Sequence, residues 1–368
     1  MLDHPAMGKA KRTRGELRVD PARLPLARYR PRSQLRGRVT EVHRPRWPAI
    51  DAHNHLGRWL SPDGSWTAPE PTRLVDLLDT AGVEAVVNLD GRAPDDLAAN
   101  LERYDAAMPG RVVTFCQLDW RECARPGWPE RLAAQLDQCV HAGAAGLKVW
   151  KDVGLHVRDE HQALVLPDDR RLAPVWGTAA EHGLPVLIHT GDPAAFFEPV
   201  DERNERLEEL GTHPSWSFAD PRFPVWSALL DALERTIATH PDVTFIVAHA
   251  HCAEDLERVE RLLTAHPNAH IDIAARIAEL GRQPRRAREL FLRFPDRILF
   301  GTDSFPPSVA DYHIHYRFLE TADEAFAYSA EDPPLQGRWT ISGLDLPTQV
   351  LQAVYSDNAR RIIPALRR

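Results

Sequence analysis

The sequence predicts a (β/α)8 barrel, and three observations carry that expectation. From residue 49 onward, eight short apolar runs alternate with longer amphipathic patterns, and eight β–α units in about 260 residues is the count of such a barrel. Most of the runs, such as VEAVVNL, PVLI, VTFIVA and RILF, are nearly bare of polar residues, as parallel strands buried on both faces are. No glycine-rich phosphate loop follows the first run, which argues against a doubly wound open sheet.

The elements follow in order. Strands are expected at 49–55, 83–90, 111–120, 144–151, 184–190, 243–252, 269–275 and 297–303. Amphipathic helices are expected between them, for example at 72–81, 130–141, 170–182, 253–266 and 284–294. Several helices pass to the next strand through glycine (AGVEAVV, AGAAGLKV, HGLPVLI), the residue that tolerates the left-handed stop of a helix. Two connections are too long for simple βα loops: 192–224, rich in aromatics and prolines, and 306–343. The first has the composition of a lid over the barrel mouth or of passive cover for an apolar edge. The fold class is therefore α/β, a (β/α)8 barrel with an N-terminal extension and long βα-loop insertions. The expected division is a basic arm, 1–48, and a barrel, 49–368.

The arm carries 13 Lys and Arg against four Asp and Glu, a net charge of +9, so with −8 overall the remainder carries −17. Its prolines at 5, 21, 25, 31, 45 and 48 exclude a long helix. The basic residues are scattered and have few aromatic partners, so the arm reads as a segment lying across an acidic body or as a tail, not as a nucleic-acid contact. The acidic total likewise argues against nucleic acid as a partner. No run approaches 18 apolar residues, so no membrane span is expected. The four cysteines (Cys116, Cys123, Cys139, Cys252) form no CxxC pair, as in a cytoplasmic protein with reduced thiols. The expected partners are a small-molecule substrate and further copies of the chain, in a homodimer or larger assembly.

Chemistry concentrates at the ends of the runs. In IDAHNHLG, strand alternation places Asp51, His53 and His55 on one face, where two imidazoles can share a metal ion. A His-x-His pair alone is weak, since composition predicts roughly one by chance; this chain has three, at 53/55, 249/251 and 313/315. Position separates them. The first pair closes the first run, and Lys148 (AAGLKVW), His189 (PVLIHTGD), His249 (FIVAHAHC) and Asp303 (RILFGTDS) stand at the same place on later runs. That is the end at which barrel strands deliver catalytic groups. Asp51 reads as an orienting partner of a ligand imidazole or as a strand-start cap. On the substrate side, Arg276 after the seventh run has the fork for a carboxylate or carbonyl oxygen, with a surface salt bridge as the alternative. Trp150 and Lys151 offer a wall and an anion contact. His313 and His315, in the second long connection, read as lid or core residues.

IDAHNH, GLKVW, LIHTGD, IVAHAH and ILFGTD, in this order, resemble the metal-dependent amidohydrolase superfamily, in its amidohydrolase-related, decarboxylase-like branch, over about residues 49–363. The resemblance implies that His53, His55, His189 and Asp303 bind one divalent metal, zinc first, with iron or manganese as alternatives. It implies that His249 binds a second metal or positions the reacting water, and that Lys148, if carbamylated, bridges two ions. Two metals are expected slightly ahead of one because His249 is present. Either His249 or His251 fits the motif, and His249 is preferred because it directly follows FIVA. The implied activity is hydrolysis of an amide, lactone or thioester, with Asp303 and His249 as catalytic groups. The alternative is non-oxidative decarboxylation or hydration.

Overall fold

The structure, a computed structural model, describes residues 19–367. They fall into two compact units, one ending at Arg36 and one running from Gly37. In the first unit, Pro21–Arg23 and Leu26–Arg28 are single 3-10 turns, the former capped by the Asp20 carboxylate accepting from the Ala22 amide.

In the second unit, and among the described residues, eight strands form one parallel sheet in sequential order, a nearly closed (β/α)8 barrel. The strands are β1 (Ala49–Asn54), β2 (Val83–Arg92), β3 (Val112–Gln117), β4 (Gly146–Val149), β5 (Val186–Ile188), β6 (Phe245–Val247), β7 (Ala269–Asp272) and β8 (Ile298–Leu299). Helices fill the connections, the longest being Trp128–Ala142, Trp226–Thr239 and Val309–Glu320. Gly82 and Gly143 close their helices at φ 75° and 109°, the left-handed backbone expected at these stops. Strands β4 to β8 end several residues before the apolar runs do. The chain leaves the ladder there because the residues that follow turn to face the barrel mouth.

Alternation sorts the strand residues between two layers. Val86, Val112, Leu147, Val186, Phe245 and Ile271 pack against the helices, while Ile50, Val87, Phe115, Leu187, Ile246 and Leu299 fill the interior. Position 146 requires glycine because a Cβ there would sit 2.4 Å from the interior Phe115 ring. Ala359, Ile362 and Leu366 pack on the same inner cluster and cover the barrel floor. Between β8 and β1, the Ala52 amide donates to Phe300 O and the Asp303 amide to His53 O, both at 2.9 Å, across the closing seam.

One expectation about β1 is corrected by its register. The β1–β2 ladder slips between Asp51 and Asn54. Asp51 consequently lies outside the barrel wall, apart from the imidazoles. Its carboxylate accepts from Tyr312 OH on Val309–Glu320, from the amide and hydroxyl of Thr302 and from Asn54. Asp51 pins the seam from outside and touches no ligand ring. Burial pushes its carboxyl upward against the Thr302 hydroxyl, Asn54, the His53 backbone amide and Tyr312.

Residues 37–48 belong to the barrel unit. The Thr40 amide and hydroxyl donate to the buried Asp323 carboxylate at 2.6 and 2.9 Å, and Arg46 donates its amide to Glu320, which also accepts from Tyr355 OH. His313 and His315 sit on Val309–Glu320, with the His315 Nδ1 on the Asp311 carbonyl and the His313 ring on His43. No helix among the described residues is long and apolar enough to cross a membrane.

Candidate metal centre

The ends of β1, β2, β4, β7 and β8 bring six ionisable side chains into one pocket. His53 Nε2 and His55 Nε2 lie 3.8 and 3.6 Å from the same oxygen, Asp303 Oδ1. Each imidazole is held from behind by a carboxylate. His53 Nδ1 is 2.8 Å from Asp272 Oδ2 on β7, and His55 Nδ1 is 2.6 Å from Asp90 Oδ1 on β2. An ionised carboxylate only accepts, so both Nδ1 atoms carry the proton and both Nε2 atoms present lone pairs. The buried His55 Nε2 and Asp303 Oδ1 have no hydrogen-bond partner among the described residues. These two orphaned acceptors converge with His53 Nε2, which has the Lys148 amine beside it, and such a set is what a divalent cation satisfies: His53, His55 and Asp303 form one candidate group. Asp303 reaches the point through a left-handed backbone, φ 58°.

Lys148 on β4 is fully buried, with Nζ 3.4 Å from His53 Nε2. Burial brings its pKa down to about 8, against the pull of Asp303, Asp272 and Asp90. Burial, with the Lys148 charge beside it, holds the His53 imidazole well below its usual range, so it is neutral and available as a ligand.

His189 and His249 form the second half of the pocket, their rings 4.3 Å apart and His249 4.7 Å from His53. The His249 Nδ1 is 2.9 Å from Ala274 O and so donates to it, which leaves Nε2 as the acceptor nitrogen. Its amide donates to Asp272 Oδ1 at 2.8 Å. His189 is in neither of the tight metal-holding groups; its Nε2 is 3.4 Å from Asp192 Oδ1. Burial brings the His189 imidazole to about 4, against Asp192. His251 turns away and pairs with Glu234 on Trp226–Thr239 at 3.0 Å. His251 still borders the cleft beside His189, but it is the His249 ring that lies next to His53.

The walls are aromatic. The Trp150 ring lies 5.6 Å from His55, 5.3 Å from His189 and 4.6 Å from Trp59, and Phe305 stands 5.9 Å from His55. Lys151 donates to Asp192 at 2.5 Å and packs among Trp150, Trp216 and Phe218. Burial favours the neutral Asp192, but the Lys151 charge and His189 hold its carboxyl well below the usual range. Arg276 is nearly buried and shares a narrow cleft with His189, Asp192, His249 and Glu254. Its Nη1 donates to Ala275 O, as does Gln336 from the connection after β8.

The long connections form a salt-bridged roof. Arg206, fully buried in the connection after β5, pairs with Glu209 and with Glu279 after β7. Glu205 pairs with Arg282 and Glu208 with Arg338, joining that connection to the ones after β7 and β8. The composition of 192–224 pointed to a cover, and these pairs supply its attachment.

Sequence reasoning missed Asp90, Asp272 and Asp192. A signal for the first two was present: a lone aspartate in the bare apolar runs VVNLD and HIDIA must be buried, and a buried carboxylate needs donors.

Residues 50–365 match the family model described as Amidohydrolase. Solved structures with similar folds include a 2,6-dihydroxybenzoate decarboxylase from Rhizobium (TM-score 0.54, 17% identity, covering 86% of this chain and 99% of that one). A dihydroxybenzoic acid decarboxylase from Polaromonas sp. JS666, with bound manganese and the inhibitor 2-nitroresorcinol, gives 0.54 at 17% identity, covering 88% and 98%. An amidohydrolase from Burkholderia multivorans with bound zinc gives 0.50 at 16% identity, covering 86% and 99%. No curated protein matches the chain in sequence.

Proposed function

The chain belongs to the amidohydrolase family, and we propose that it is a metal-dependent hydrolase of small acyl substrates, held in the pocket at the C-terminal end of the barrel. The observation that carries this reading is the convergence of His53 Nε2, His55 Nε2 and Asp303 Oδ1 on one point, the latter two without a hydrogen-bond partner among the described residues. We take these three as ligands, with His189 as a further candidate ligand. A divalent ion there would supply Lewis acidity toward a carbonyl and a water made acidic enough to ionise near pH 7. Zinc is our first choice, with manganese or iron as alternatives, since relatives of this fold carry zinc or manganese.

The residues of the chain do the rest. Asp303 has a second carboxylate oxygen with which to take the proton of the attacking water and return it to the leaving group. His249, its tautomer fixed by Ala274, offers its Nε2 lone pair to orient that water. Arg276 is placed to grip a carboxylate or carbonyl oxygen, Trp150 to wall the acyl group, and Lys151 to meet an anion with the donors that Asp192 leaves free.

Two specific observations favour further readings. The aromatic walls Trp59, Trp150 and Phe305, together with the decarboxylases among the similar folds, favour decarboxylation of a flat carboxylated ring as the second reaction. The buried Lys148, its amine drawn to about 8 and 3.4 Å from His53, favours a bridged two-metal form: neutral amine adds to carbon dioxide, loses one proton and becomes an anionic oxygen ligand.

A panel separates the reactions. Lactones, esters and amides are assayed for acid release and carboxylated aromatics for carbon dioxide release, each with and without chelator. Chelator-sensitive acid release supports hydrolysis, carbon dioxide release without it overturns hydrolysis in favour of decarboxylation, and chelator-insensitive turnover overturns both. In the bridged form Lys148→Ala loses at least one ion; a stoichiometry of one that survives the change leaves the single-metal form.

A further inference from the structure

Strand β7 touches both halves of the centre through one carboxylate, Asp272, which lies close to both His53 and His249. Asp272 is fully buried and divides its oxygens between two histidines from different strands. One oxygen faces His53 Nδ1 at 2.8 Å; the other accepts from the His249 amide at 2.8 Å and the Ala274 amide at 3.1 Å. The His249 amide opens an unusual turn. His249, Ala250 and His251 all have left-handed backbones, at φ 61°, 54° and 62°, which side chains with a Cβ disfavour. Two bonds from β7 and the residues just after it hold this turn: the Asp272 carboxylate on its amide and the Ala274 carbonyl on its ring.

We propose that Asp272 is a positioning residue that sets both histidines at once, fixing His53 with its Nε2 lone pair toward the ion and holding the left-handed turn that carries His249. The assignment rests on the metal reading given above. It makes the two halves of the centre interdependent: no change at Asp272 reaches one histidine without the other, except a change that keeps one oxygen.

Asparagine is that change. The His249 and Ala274 amides can only donate, so they retain the oxygen of an asparagine, and its NH2 group must then face His53 Nδ1. Nδ1 becomes an acceptor, the ring proton moves to Nε2, and the lone pair for the metal is lost. Alanine removes both contacts.

The test uses the full-length protein and zinc. Zinc affinity is measured by chelator competition, and hydrogen exchange by mass spectrometry reads the segment 247–252, for wild type, Asp272→Asn and Asp272→Ala. Folding of each variant is checked by melting. The expected result is a split: Asp272→Asn binds zinc about 10–100-fold more weakly while the segment stays protected, and Asp272→Ala loses both zinc affinity and protection. A merely structural role would move both readouts together in both variants. The proposal is overturned if Asp272→Asn binds zinc as wild type does, or if the segment stays protected in Asp272→Ala. A wild type that takes up no zinc refutes the metal reading and the His53 half with it, and the exchange pattern then decides the His249 half by itself.

Discussion

His55 Nδ1 lies 2.6 Å from Asp90 Oδ1, a carboxylate 35 residues further along at the end of β2, and both side chains are fully buried. The other Asp90 oxygen accepts from the Gly57 amide at 2.8 Å. In Asp90→Asn the oxygen must stay on Gly57, so the NH2 group faces His55 and drives the ring proton onto Nε2. Metal affinity is then expected to fall about 10–100-fold with the fold intact. Chelator competition and a thermal melt measure the two quantities separately.

His249 and His251 are two residues apart and have different surroundings. His249→Gln replaces the imidazole nitrogen that Ala274 orients with an amide that lacks that geometry and is expected to lower kcat by about 10²–10⁴-fold. His251→Gln exchanges one partner of Glu234 for another and is expected to keep metal content and most of the turnover. Steady-state kinetics on any substrate found by the panel compares the two.

The roof should fail at its buried pair before its exposed one. Arg206 is almost wholly buried between Glu209 and Glu279, so Arg206→Met strands two carboxylates, a loss of about 3–5 kcal/mol. Arg282 pairs with Glu205 in solvent, and Arg282→Met is expected to cost under about 1 kcal/mol. Urea denaturation of both variants measures the contrast.

The segment leading into β1 adds a pH-dependent anchor. Burial opposes ionisation of Asp323, but the Thr40 amide, the Thr40 hydroxyl and Arg317 hold its carboxyl below the usual range. A lowered pKa in the folded state stabilises above the ordinary carboxylate value, near 3.9, and that contribution fades as pH falls through the folded value. Thr40→Val is therefore expected to cost about 1 kcal/mol at pH 7 and progressively less below about pH 4. Melting curves across that range check the sign. Deletion of residues 1–46 removes Arg46 from Glu320 as well and should lower the melting temperature further.

Much of this architecture was legible because burial writes it into composition. Runs such as VTFIVA and PVLI have no polar side to show water, so they could only be inner strands, and the residues just after them had to meet at the mouth. That logic located His53, His55, Lys148, His249 and Asp303. It failed at Asp51, because a slip of the ladder between Asp51 and Asn54 reverses the face that alternation assigns, and nothing in IDAHNH announces a bulge. It could not choose firmly between His249 and His251, since three successive left-handed residues obey no strand or helix period. The carboxylates behind the imidazoles were readable in principle, but which histidine each would meet depends on strand neighbours far apart in the chain: Asp272 stands 219 residues from His53.

Elemental analysis of the protein prepared without chelators, beside His55→Ala prepared in parallel, tests the metal centre most directly. The convergence of His53, His55 and Asp303 predicts one or two divalent ions per wild-type chain and a loss of at least one in the variant. A folded wild type that holds no ion after incubation with zinc, manganese or iron, or a His55→Ala protein that keeps its full complement, would contradict it.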